Sequence, residues 1–160
     1  MAGTAGAAGL RQRLIVVGRG DPALAEYEQR FVARIRRFAP LELVELPAGR
    51  ERRVEQRRVR ESARILRRLE RAGISVLFDE RGAAVESPGW AAFLDGLAGN
   101  AAVDYIIGGA DGVEPELRRR VDHCWSLSRL TLPHQLVRVV VLEQLYRAHS
   151  IRAGQPYHRS

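Results

Sequence analysis

Apolar positions along this 160-residue chain switch repeatedly between short β-branched runs and runs at helical spacing. Arg13 to Val17 (RLIVV) is a β-type run that Gly18 ends. Leu24, Tyr27, Phe31, Ile35 and Phe38 then recur three or four residues apart, the spacing of one helix face. Leu41 to Leu46 nearly alternates and stops at Pro47-Ala48-Gly49. From Glu51 to Ala72 the spacing predicts a long helix with Val59, Ala63, Leu66 and Leu69 inward and arginines outward. Ile74 to Phe78 is a third strand running into Asp79-Glu80-Arg81-Gly82. Ser87-Pro88 has the form of an N-cap followed by proline at the first helical position. Trp90, Phe93, Leu94 and Leu97 form the inner face of that helix. Val103 to Ile107 is a fourth strand, followed by a polar helix near Glu114 to Val121 and a strand-like piece at Cys124 to Leu127. The last helix runs from Pro133 to Ser150. Strand and helix alternate about five times, which predicts an α/β fold: a mostly parallel sheet with helices on both faces.

Composition narrows the class. With 46% hydrophobic residues the chain can bury a core, so wholesale disorder is excluded. Residues 1–9 are rich in Ala and Gly, without the basic start or apolar segment of a signal peptide. They are expected to be a flexible tail before a single domain at residues 10–160. No apolar stretch approaches the roughly 18–20 residues that cross a bilayer. The lone Cys124 excludes an intramolecular disulfide and any multi-cysteine zinc site. A reduced, cytoplasmic protein with no metal and no membrane partner is the default expectation.

Charge adds a partner. All 26 basic residues are arginine, and the net charge is +7. Residues 1–71 hold 17 Arg against nine acids, whereas residues 72–160 hold nine against ten. So basic a half suggests a polyanion, with RNA the first candidate. Arg57, Arg60, Arg64 and Arg68 on the long helix are the expected contacts; a merely solvated face is the alternative.

Local motifs are mostly bland. Gly18-Arg19-Gly20-Asp21-Pro22-Ala23 matches the variant dinucleotide fingerprint, and Glu42 or Glu45 could serve as its ribose acid. However, Asp21 would set a carboxylate against a pyrophosphate, and Pro22 removes an amide donor. A plain turn before an Asp/Pro-started helix is the better interpretation. Cys124 beside Trp125 suits a buried structural thiol, and the four histidines lack metal spacing. Three glycines within Gly108–Gly112, after a buried strand, mark the place where α/β sheets bind ligands. Trp125 to His134 (WSLSRLTLPH) is an apolar loop with small hydroxyls, followed by Arg138, Glu143, Tyr146 and Arg147 on the last helix.

The stretch from Trp125 to Arg159 (WSLSRLTLPHQLVRVVVLEQLYRAHSIRAGQPYHR) closely resembles the RlmH family of ribosomal RNA methyltransferases, short members of the SPOUT class. The resemblance extends back through IIGGADG (Ile106–Gly112), FDERG (Phe78–Gly82), LPAG (Leu46–Gly49) and IVVG (Ile15–Gly18), nearly the whole chain after the tail. The sequence departs from the family pattern at Gly20-Asp21-Pro22 and at Arg50-Glu51-Arg52-Arg53.

The resemblance implies a SPOUT-type sheet with a C-terminal trefoil knot and a homodimer. It implies S-adenosylmethionine as cofactor and N3 of a pseudouridine in 23S rRNA, within the assembled ribosome, as methyl acceptor. It places cofactor contacts on Phe78, Gly108, Leu127, Ser128, Arg129, Leu130, Thr131 and Leu132. Among the polar residues of the C-terminal region, His158 is the candidate for proton handling. Arg147 and Arg159 would hold phosphate or the base's carbonyls, Tyr157 would stack on the ring, and Glu143 would orient Arg147. A related enzyme on tRNA and a non-catalytic ribosome-binding module are the alternatives.

Overall fold

The structure is a computed structural model describing residues 9–69 and 73–159. Most of the expected tail, and Ala72 at the expected end of the second helix, therefore lie outside the described residues. Five strands alternate with five helices. The strands are β1 (Arg11–Val17), β2 (Leu41–Leu46), β3 (Ile74–Ala84), β4 (Ala102–Ile107) and β5 (His123–Ser126). The helices are α1 (Ala25–Ile35), α2 (Val54–Arg68), α3 (Ser87–Asp95), α4 (Pro115–Arg120) and α5 (His134–Arg152). The sheet order is β2-β1-β4-β3-β5, with every neighbouring pair parallel. The chain thus leaves β1 for β2 at one edge and returns to build the other side, and the gap between β1 and β4 is the switch in direction.

Alternation along the strands explains the layers. Leu14 and Val16 of β1 join Phe31, Ile35, Trp90, Leu94, Leu142 and Leu145 in the core beneath α1, α3 and α5. Ile15 and Val17 point the other way and join Ile65, Leu77, Ile106 and Leu117 beneath α2 and α4. Both faces are covered, as the near-continuous apolar strands predict.

Four local expectations need correction. On α2 the buried face is Glu61, Ser62 and Ile65; Leu66 and Leu69 pack against the core as expected, but Val59 is 54% exposed. Polar contacts set the phase of that helix: Ser62 Oγ accepts from Glu114 N at 2.9 Å, and Glu61 Oε1 accepts from Gly49 N at 2.9 Å. On α1, Tyr27 is exposed while Glu28 is buried against Arg138. Ser87 does not cap α3; Glu86 holds the N-cap position, and the Ser87 hydroxyl donates to Gln144 on α5. Finally, β3 does not end at Phe78. Its pairing with β5 shifts register between Phe78 and Ala83 and then resumes. Gly82 permits this, because a Cβ there would lie 2.6 Å from the Cys124 backbone.

Candidate functional site

The carboxyl ends of β3 and β4 open into a cavity of about 640 Å³, well within the size range of small-molecule sites. Phe78 and Ile107 are register partners at its floor. Phe78 is itself buried, its ring 5.4 Å from Trp90 and 6.3 Å from Trp125, and it still lines the cavity. One wall is the turn Gly108–Gly112, closed by Gly112 N donating to Gly109 O at 3.0 Å. No side chain fits at the start of this turn. A Cβ on Gly108 would lie 2.4 Å from Val113 Cγ1, and one on Gly109 2.2 Å from Glu61 Oε2. The opposite wall is the loop after β5, contributing Leu127, Ser128, Leu130, Thr131 and Leu132. That loop is held by Ser126 Oγ donating to Ser128 O (3.0 Å) and Leu130 N donating to Ser128 Oγ (2.9 Å).

Charge in the cavity is arranged in pairs. Asp79 takes Arg118 Nε at 2.9 Å, and Asp111 takes Arg57 Nε at 2.8 Å. The Arg57 hydrogen bond holds the Asp111 carboxyl below its ordinary range. Arg58, also lining the cavity, is bound to Glu114 at 2.6 Å. Val54 and Arg58 make the N-terminal part of α2 a wall of this site. Cys124 lies behind it, partly buried, and burial followed by Asp79 pushes its thiol up, leaving a poor nucleophile.

The first turn of α5 fastens this wall to β1. His134, which lines the cavity, hydrogen-bonds Val17 O through Nε2 at 3.0 Å. A carbonyl only accepts, so Nε2 carries the proton. Gln135 accepts from Asp21 N and donates to Arg19 O, both at 2.9 Å. Asp21 also caps the short 3-10 turn Pro22–Leu24 by accepting from Ala23 N. Glu45 is engaged by Gly20 N and Arg138. The Gly18–Ala23 segment is thus a structural turn, and its nearby acid is not free for a ribose.

A second polar cluster forms where the C-terminal segment folds back on α5. Glu143 Oε1 accepts from Arg147 Nη2 (2.6 Å) and from the Tyr157 hydroxyl (3.0 Å). Burial and that bond to Glu143 push the Tyr157 hydroxyl up. Arg147 lies 4.8 Å from the centre of the Tyr157 ring, and its Nη1 is 3.2 Å from His158 Nδ1. Arginine only donates, so Nδ1 accepts and the neutral ring keeps its proton on Nε2. Tyr157 also packs against the core, edge-on to Tyr146 at 4.7 Å. Arg159 is exposed.

A family model described as "Predicted SPOUT methyltransferase" matches residues 10–158. The chain belongs to the SPOUT methyltransferase family. A "Ribosomal RNA large subunit methyltransferase H" from Geobacter metallireducens is 42% identical over 132 residues, covering 81% of this chain and 86% of that protein. A protein of the same name from Alkalilimnicola ehrlichii is 42% identical over 156 residues, covering 94% of this chain and 100% of that protein. Among solved structures, the SpoU methyltransferase AviRb from Streptomyces viridochromogenes, in complex with the cofactor AdoMet, matches with a TM-score of 0.46 and 14% identity. That match covers 89% of this chain and 58% of the other.

Within this SPOUT chain, Phe78, Gly108, Leu127, Ser128, Leu130, Thr131 and Leu132 line one cavity. Arg129 does not line it and is exposed. Glu143, Arg147, Tyr157 and His158 form the second cluster, which shares no residue with the cavity lining. Sequence reasoning assigned no role to Val54, Arg58, Arg118, His134 or Val137, all of them cavity-lining. The row of arginines on α2 signals only an outward face; the acids that turn Arg57 and Arg58 toward the cavity come from a distant turn. Among the described residues, no group of three or more His, Cys, Asp or Glu could hold a metal ion. Nor is any described helix long and apolar enough to cross a membrane.

Proposed function

We propose that this SPOUT methyltransferase uses S-adenosylmethionine to methylate N3 of a pseudouridine in 23S rRNA, acting as a homodimer on assembled ribosomes in the cytoplasm. One observation carries the assignment: seven residues from three separated segments converge on one cavity at the carboxyl edge of a parallel sheet. Relatives aligned over nearly the whole chain, and named for ribosomal RNA methylation, support the substrate class.

The cavity suits the cofactor chemically. Phe78, Leu127, Leu132 and Val113 give apolar surface for adenine, and the backbone of the glycine turn and of the 127–132 loop can read its polar edge. Asp79 and Asp111 are already paired with arginines, which leaves Glu80 as the lining carboxylate for a cationic ligand. Bound there, S-adenosylmethionine supplies an electrophilic methyl group. The C-terminal segment would be threaded through a trefoil knot, with the 127–132 loop part of it.

The second cluster serves the acceptor. An imide nitrogen attacks only as its proton leaves, so the negative charge that develops on the ring needs stabilisation. His158 Nε2–H and the Arg147 guanidinium are donors for the ring's carbonyl oxygens, and Glu143 fixes Arg147. His158 takes up the departing proton only if Arg147 releases its Nδ1. Tyr157 contributes a face for stacking, and exposed Arg159 reaches phosphate. Val137, at the cavity, and Arg147 are ten residues apart on α5, or roughly 15 Å along its axis. A cluster that far from its own cavity is placed to serve the cavity of a partner subunit.

Mass spectrometry of rRNA from a deletion strain tests the assignment. Loss of one N3-methylpseudouridine, restored by the wild-type chain, is expected. An unchanged signal overturns the substrate, and calorimetry showing no S-adenosylmethionine binding overturns the enzyme.

A further inference from the structure

We propose that Arg81 and Arg129 grip RNA backbone phosphates on either side of the nucleotide presented to the cavity. The inference rests on the RNA-methyltransferase function above and assigns the surface that holds the RNA.

The argument starts from which guanidiniums are already engaged. The α2 arginines expected to meet RNA are largely held within the protein. Arg57 is bound to Asp111, Arg60 to Glu51 at 3.0 Å, and Arg64 donates to Pro47 O at 2.7 Å. At the cavity itself, Arg58 and Arg118 are bound to Glu114 and Asp79. Each of these guanidiniums already commits one or more of its five N–H donors within the protein, and those paired with a carboxylate have less net charge to offer a phosphate.

Arg81 and Arg129 differ. Both are exposed, and neither side chain has a hydrogen bond or ion pair among the described residues. Arg81 lines the cavity on the β3 side; Arg129 stands on the opposing loop between Ser128 and Leu130, both of which line it. The two segments meet where Thr131 Oγ1 donates to Glu80 Oε2 at 3.4 Å. Their backbones are fixed: Arg81 N donates to Asp79 Oδ1 at 2.8 Å, and Leu130 N donates to Ser128 Oγ at 2.9 Å. Ordered main chain beneath two unengaged guanidiniums is a preorganised anion grip, because little backbone entropy is lost on binding.

The charge pattern also says what enters. Glu80, next to Arg81 and hydrogen-bonded to Thr131 two residues after Arg129, repels a phosphate from its part of the rim, whereas a neutral base is admitted. Leu130, 72% exposed beside Arg129, offers that base an apolar contact. Phosphates flank the opening and the base enters between them.

The test uses full-length Arg81→Gln, Arg129→Gln and the double variant, with Arg60→Gln/Arg64→Gln as the comparison. Binding to a 12-nucleotide single-stranded RNA is followed by fluorescence anisotropy over a range of salt, and S-adenosylmethionine affinity by calorimetry. Each lost phosphate contact lowers the log–log salt slope by about 0.7, so the double variant should lose about 1.4. Cofactor affinity should stay within about twofold of wild type, and the Arg60/Arg64 pair should keep the wild-type slope. An unchanged slope in the double variant, or an equal fall in the Arg60/Arg64 pair, overturns the proposal. Turnover on assembled ribosomes that lack the modification is measured in parallel with the wild-type protein. Absence of turnover there refutes the substrate assignment, while the slope still decides the role of the two arginines.

Discussion

Arg138 of α5 donates to both carboxylate oxygens of Glu28 on α1, at 3.0 and 3.2 Å, and neither side chain reaches solvent appreciably. Its third nitrogen, Nη1, lies 2.8 Å from Glu45 Oε2, which also takes Gly20 N. The helix that follows the 127–132 loop is thereby bolted to α1, β2 and the turn after β1. Removing one member of a buried pair leaves a charge without its counter-ion, at about 3–5 kcal/mol. Arg138→Met should therefore lower the unfolding free energy measured in urea by an amount in that range. Arg138→Met/Glu28→Leu should recover most of the loss, since apolar replacement of a whole buried pair is often near neutral. A double variant as unstable as the single would show that packing, not charge, dominates there.

Gly109 should be intolerant of alanine because of one neighbour. Glu61 Oε2 has no hydrogen-bond partner among the described residues and sits where the new methyl group would go. Gly109→Ala is expected to cost roughly 2 kcal/mol as overpacking and to weaken cofactor binding by displacing the turn. In a Glu61→Ala background the same substitution should cost well under about 1 kcal/mol. A double-mutant cycle by urea unfolding measures the difference, and equal penalties in both backgrounds would refute the coupling.

His149 makes stability depend on pH. It is buried, bonded through Nε2 to Gln12 Oε1 at 3.0 Å and stacked on Phe38, with the Arg152 cation nearby. Burial first, and Arg152 second, push its pKa down to about 4 from 6.5. Between those values the unfolded chain binds a proton that the native protein refuses. Stability should thus fall as pH drops from about 6.5 towards 4, by about 3 kcal/mol from this residue. His149→Gln keeps a donor for Gln12 and removes the titration, so its melting temperature should vary less across that window. A variant with the wild-type pH profile would place the dependence elsewhere.

Deleting residues 157–160 should leave S-adenosylmethionine affinity within a few-fold of wild type and abolish methyl transfer. Loss of the Tyr157–Tyr146 contact should lower stability by only about 1 kcal/mol. Mixing the truncation with a cofactor-blocked chain tests service across subunits. Thr131→Trp is the better block, because Thr131 is exposed at the cavity whereas bulk at Gly108 would strike Val113 in the core. Partial return of activity in the mixture is expected if clusters act in trans. A mixture as inactive as both parents would assign each cluster to its own subunit.

Local pattern by itself determined the alternation of strands and helices, because buried strands and one-sided helices leave their periods in any few consecutive residues. Leu14 to Val17, Phe31 with Ile35, and Trp90 with Leu94 are core positions on that ground alone. The glycine turn at Gly108–Gly112 and the loop from Leu127 to Leu132 were legible as candidates from composition and motif, and both line one cavity. Tertiary structure decided what depends on partners far away in the chain. Glu28 is buried only because Arg138, 110 residues later, neutralises it. Arg58 of α2 stands at the cavity beside Glu114, 56 residues later, which the outward arginine row could not reveal. The length of β3 depended on Gly82 clearing the backbone of Cys124. Periodicity reports which face of an element is apolar, whereas the fate of a charged side chain depends on the sign and distance of neighbours that only folding brings near.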